Sequence, residues 1–129
     1  MTTVTYAASV PDAGNRPWAD VVLNPATPGN PTLKCLVDTG ADYLQINALD
    51  ATTAGLPLAH ATPVAVSTVA GTATLQMLQN ITVSIEGISP ITTDVLIDTT
   101  NRTQPLIVGR LLLLAAFDLG FNVQAWLRT

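Results

Sequence analysis

Charge is scarce in this chain. Only 11% of its 129 residues are Asp, Glu, Lys or Arg, and 48% are apolar. A composition so rich in buriable surface and so poor in charge excludes intrinsic disorder. The five Lys and Arg are scattered and stand against nine Asp and Glu, for a net charge of −4. No basic patch exists to neutralise phosphates, which excludes a nucleic-acid partner. Cys35 is the only cysteine, so no intramolecular disulfide can form. His60 is the only histidine and has no Cys, Asp or Glu at ligand spacing, so it reads as a surface loop residue. Asp94, Asp98 and Asp118 read as turn or edge acids rather than a metal cluster. No charged-then-apolar leader opens the chain, and a cytoplasmic protein is expected. The longest apolar run, Pro105 to Phe117, is too short to span a bilayer and contains Arg110, so no membrane partner is expected. With nothing pointing to export, the sequons at Asn80 and Asn101 are read as chance.

What the chain does have is strand signal. Its length suits one domain over residues 1–129, which buries enough surface to fold without a staple. Val, Ile and Thr recur in short stretches broken by Pro, Gly, Asn and Asp. Strands are predicted at Val4–Ser9, Ala19–Asn24, Thr32–Asp38, Tyr43–Ile46 and Val64–Val69. Further ones fall at Thr72–Leu78, Ile81–Glu86, Thr92–Ile97, Leu106–Val108 and Asn122–Leu127. The turn-rich "NPATPGNPT" between Asn24 and Thr32 reads as a hairpin loop, and "GIS" at Gly87 as another turn. Two short helices are expected. Asn47 can cap "ALDATTA", with Asp50 in the first turn and Gly55 as the stop. Gly109-Arg110 opens "LLLLAAF", which ends near Gly120. Leucines 111 to 114 cannot all face one side of it, so one or two are free to meet a second subunit. No internal repeat or linker stands out. The fold expected is all-β: a small closed β-barrel with one short C-terminal helix.

One segment concentrates the chemistry. In "LKCLVDTGADYLQIN", Leu33, Cys35 and Val37 alternate with Lys34, Leu36 and Asp38. Asp38 therefore ends a buried strand, where Thr39-Gly40 must turn, and Gly40 allows a positive φ and a close backbone approach. Cys35 points to the opposite face and reads as a core thiol. A lone buried carboxylate is costly, whereas two can share one proton and give an acid and a base together. Asp-Thr-Gly is also ordinary turn chemistry, and a plain turn aspartate stays open.

"VDTGAD" with its apolar lead-in resembles the active-site segment of the retropepsin-like aspartic proteases. "RPWADVVL" (16–23), "VSTVAGTATLQML" (66–78) and "PLIVGRLLLLAAFDLGFN" (105–122) resemble, in order, that family's leading strand, flap hairpin and closing Gly-Arg helix. The resemblance implies a barrel of the acid-protease type with a flap hairpin. The catalytic motif occurs once, which implies a homodimer with Asp38 from each chain at the two-fold axis. It further implies a peptide or protein substrate, hydrolysis by general acid–base activation of water, and no cofactor or metal. Asp38, Thr39 and Gly40 would form the catalytic loop. Ala41, Asp42 and the flap residues Thr68, Val69, Ala70 and Gly71 would meet substrate. Asp42 and Arg110 would form a buried ion pair, with Arg16 reaching Asp42 of the other chain. The flap departs from the family pattern: Gly71 is its only glycine and it lacks a tyrosine. Two rivals remain, a binding module of the same fold without turnover and a structural β-domain whose motif is coincidental.

Overall fold

The computed structural model describes residues 3–4, 18–68, 71–103, 105–116, 118–121 and 125–128. In chain order the elements are β1 (Thr3–Val4), β2 (Trp18–Leu23), β3 (Thr32–Val37), β4 (Leu44–Asn47) and α1 (Ala48–Thr53). A short 3-10 turn (Leu58–His60) follows, then β5 (Thr62–Thr68), β6 (Gly71–Ile85), β7 (Ile91–Asp98) and β8 (Leu106–Val108). The chain closes with α2 (Arg110–Ala116), β9 (Asp118–Phe121) and β10 (Ala125–Arg128).

The molecule is mostly β, and its main sheet closes on itself. β2 pairs antiparallel with β3, β3 parallel with β8, and β8 antiparallel with β4. β4 then runs parallel to β7, β7 antiparallel to β6, and the far end of β6 returns to β2. Closure leaves these six strands with partners on both sides, which removes the exposed edges an open sheet carries. β5 hangs outside the ring on the first half of β6. A smaller sheet, ordered β1-β10-β9, lies apart from it. Among the described residues no helix is long and apolar enough to cross a membrane.

Alternation places the core. Val21, Cys35, Leu44, Ile46, Val83, Ile85, Val95 and Ile97 are fully buried within the ring, and Leu112 and Leu113 of α2 seal it. Leu111 and Leu114 point outward, 49% and 63% exposed, because a 3.6-residue period cannot turn four consecutive leucines inward. The hairpin loop between β2 and β3 is held by Asn30, whose amide donates to the carbonyls of Leu23 (2.9 Å) and Asn24 (3.2 Å). Glu86 and Gly87 both take positive φ in a tight turn closed by the Ile88 N–H donating to the Ile85 carbonyl at 3.1 Å, at the start of the connection from β6 to β7.

Two local expectations change. The segments at 72–78 and 81–86 are one strand, β6; a register shift between Leu78 and Ile81, with Asn80 at φ 59°, marks the break that the sequence suggests. α2 stops at Ala116, and Asp118–Phe121 is a strand because β10 pairs with it, Gly120 opposite Trp126. Asn47 caps α1 as expected, in a capping box with Asp50, whose carboxylate accepts the Asn47 N–H at 3.3 Å. The first predicted strand is seen only at Thr3–Val4, and residues 5–9 lie outside the described residues.

Candidate active site

β3 carries the apolar lead-in to Asp38. Leu33, Cys35 and Val37 are buried on one face, and the alternation delivers Asp38 half-buried at the strand's end. The Asp38 N–H donates to the Val108 carbonyl at 3.0 Å, which ties the loop to β8. Gly40 N–H donates to Asp38 Oδ1 at 2.9 Å, and Ala41 N–H to the Asp38 carbonyl at 3.2 Å. Gly40 does not take a positive φ. Its value is space, because a Cβ there would stand 3.2 Å from Asp38 Oδ1 and crowd the carboxylate. Thr39 and Gly40 are exposed.

The loop is braced from below by the Gly-Arg segment. Arg110 N–H donates to the Ala41 carbonyl at 2.8 Å and Leu111 N–H to the Asp42 carbonyl at 3.0 Å. The first N–H groups of α2 thus find acceptors in the Asp38 loop rather than in water. Arg110 Nε lies 2.7 Å from Asp42 Oδ1, with the two side chains 55% and 50% exposed. Within one chain this pair is half-exposed rather than buried, and such a pair contributes about 1 kcal/mol at most. Gly109 sits where the two segments cross. A Cβ there would come within 2.5 Å of the Asp42 carbonyl carbon and the Tyr43 nitrogen.

Asp38, Gly40, Ala41 and Asp42 line one side of a cleft of about 1180 Å³. The β5–β6 hairpin covers another side. Val64 pairs with Leu75 and Val66 with Ala73, and these four line the cleft together with Ala65 and Ser67, so the hairpin's contribution is largely aliphatic. Thr68 and Gly71 pair at the hairpin's end, Gly71 with φ 122°. Val69, Ala70 and Arg16 lie outside the described residues.

A third wall comes from the β7–β8 loop. Asp98 ends β7 as Asp38 ends β3, and the same local turn is built twice. Thr100 N–H donates to Asp98 Oδ1 at 2.9 Å and Asn101 N–H to the Asp98 carbonyl at 3.2 Å. The sequence carried the signal in Leu36-Val37-Asp38-Thr39 and Leu96-Ile97-Asp98-Thr99. The two acids differ in how far they are satisfied. Asp98 is buried and also accepts the Thr100 hydroxyl on Oδ1, with Arg102 N–H (3.1 Å) and the Thr103 hydroxyl (3.0 Å) on Oδ2. Burial pushes its carboxyl up, but the hydrogen bonds from Thr100, Thr103 and Arg102 prevail and hold it below the ordinary value. Asp38 accepts one hydrogen bond on Oδ1, and its Oδ2 has no partner among the described residues. Asp98 is thereby a bracing acid, while Asp38 keeps one oxygen unengaged among the described residues. Thr103 is fixed in turn by Asn47, which accepts its N–H at 3.0 Å and donates to its carbonyl at 3.1 Å, and by Gln45, which donates to its hydroxyl at 3.2 Å.

An Asp-Thr-Gly loop under a hairpin-covered cleft is the arrangement of an acid protease. The family model for aspartyl proteases matches residues 25–110, well over half of the chain and spanning the Asp38 loop, the hairpin and the β8 segment. The chain belongs to the aspartyl protease family, and its function is of the protease type. No curated protein matches it.

Proposed function

We propose that the chain is a homodimeric aspartic endopeptidase of the retropepsin type, its ring a barrel of that kind. The observation that carries this reading is the half-buried Asp38 carboxylate, free at Oδ2, in the wall of a large cleft in a chain of the aspartyl protease family. One such loop per chain supplies half of a proton-sharing pair, and a second copy across a two-fold axis supplies the other half. One Asp38 carboxylate then takes a proton from a water molecule, whose oxygen attacks the peptide carbonyl. The other Asp38, protonated, donates a hydrogen bond to that carbonyl, and the proton passes on to the leaving amine. The exposed Thr39 hydroxyl would reach the partner's loop, and the Asp42–Arg110 pair would become buried beside it.

The test is cleavage of denatured casein at pH from about 4 to 7, the range open to a proton-sharing carboxylate pair. Asp38→Asn keeps an oxygen to accept the Gly40 N–H but cannot cycle the proton, and its rate should fall by about 10²- to 10⁴-fold. Equal cleavage by both proteins, or none by either, would overturn the proposal. Peptide binding without cleavage would make the chain a binding module of the same fold.

A further inference from the structure

Among the described residues, the cleft lining contains one cation, Arg102, and it makes no ion pair. Lys34 is paired with Asp20, and Arg110 with Asp42. Arg102 lines the cleft, is exposed, and makes no ion pair among the described residues. The nearest acid in sequence, Asp98, has both oxygens taken by the donors of its own loop, including the Arg102 backbone N–H. The hydrogen-bonding sites of Asp98 are thus taken by neutral donors of its own loop, and it makes no ion pair with the Arg102 side chain.

The same bonds fix where Arg102 stands. Its N–H is held at 3.1 Å by Asp98, and the next residue, Thr103, is held through both its N–H and its carbonyl by Asn47. The side chain therefore starts from a rigid root in the wall of the cleft. The lining of the cleft is mixed: Leu96, Pro105, Ile107 and Val66 are apolar, while Asp38, Asp42 and Asp98 are acids that a substrate carboxylate would have to stay clear of. A peptide in the cleft would remove water from the guanidinium, and a planar five-donor group in drier surroundings favours a two-oxygen acceptor.

We infer that Arg102 is a specificity-determining residue that selects substrates bearing a carboxylate next to apolar side chains. The inference rests on the cleft being the peptide site of the proposed endopeptidase. The carboxylate is that of an Asp or Glu side chain or of the substrate's own C-terminus.

The experiment uses a peptide cut from casein, its ends blocked, with Glu, Gln or Lys at each position in turn, and the same peptides with free C-termini. At one position kcat/KM for Glu should exceed that for Gln by about 5- to 10-fold, expressed in KM and reduced by salt. In Arg102→Gln the Glu-to-Gln ratio should fall to near one, and in Arg102→Glu the preference should turn to Lys. A preference seen only with free C-termini, and lost in Arg102→Gln, would assign the carboxylate to the chain end. A Glu-to-Gln ratio unchanged by Arg102→Gln would overturn the inference. If no peptide is cut, the endopeptidase reading fails by itself. Arg102 is then read by the anisotropy of labelled Glu and Gln peptides on the Asp38→Asn protein. Tighter binding of Glu that vanishes in the Arg102→Gln double variant supports the selection. Equal binding, or none, refutes it.

Discussion

Two aspartates at strand ends show how much a single side chain's surroundings decide. Asp38 and Asp98 follow the same Leu-apolar pattern and begin the same turn. The difference is supply of donors: Thr100, Arg102 and Thr103 converge on Asp98, while among the described residues Gly40 alone reaches the Asp38 carboxylate. Sequence reasoning separated them into a candidate chemical acid and a turn acid, through Asp-Thr-Gly rather than through the donors. It expected pocket residues from Ile97 to Leu106, and Asp98, Arg102 and Thr103 do line the cleft; it did not find the bonds that fix them, since Asn47 and Gln45 lie more than fifty positions from Thr103. Cys35 is the opposite case, legible from alternation alone. It is fully buried, and burial, followed by the nearby Asp50 and Asp20 charges, pushes its thiol up to about 12. Because the folded value lies above the ordinary one, the thiol's contribution to stability is full below about pH 9 and is lost as pH rises towards 12. At pH 8 a thiol reagent should label the folded protein only as fast as it opens. Prompt stoichiometric labelling of native protein would contradict this placement.

Among the elements, the crossing of the Asp38 loop with β8 and α2 is the most constrained point. Backbone bonds from Arg110 and Leu111 hold the loop from below, and this works only if the strands of the crossing approach without a side chain between them. Gly109→Ala should therefore destabilise the fold by about 3 kcal/mol, the upper end of the usual cost of overpacking, because the obstructing atoms are backbone. A urea midpoint that falls with an unchanged slope would show it; an unshifted midpoint would mean the loop yields. The Gly-Arg segment was visible in the sequence as a motif. The reason for its glycine was not, since the atoms that a Cβ would strike belong to residues 42 and 43. β9 escaped notice for a related reason. Its residues follow a run of strong helix formers, and only the pairing with β10 makes them a strand. The two halves of β6 were found but read as separate, because Gln79-Asn80 interrupts the alternation without ending the strand.

At the scale of the whole molecule, the proposed catalytic unit is larger than the chain. A site assembled from two copies loses activity on dilution faster than in proportion to concentration. Specific activity should therefore fall below the dimer's dissociation constant, in step with the sedimentation of a dimer into monomers. Specific activity independent of dilution in a sedimenting monomer would show that one chain suffices. α2 offers exposed Leu111 and Leu114 on the face opposite its buried leucines, apolar surface that a monomer leaves in water. The sequence by itself determined the β class, most strand positions, the core face of β3 and the acid at its end. Those follow from alternation and turn residues, which act over a few positions. Only the tertiary structure decided that the ring closes through β2 and β6 and that Asn47 and Gln45 fix the loop after Asp98. It also decided that Asp42 and Arg110 meet in a half-exposed pair. These depend on hydrogen bonds and contacts between residues far apart in the chain, which local patterns do not encode.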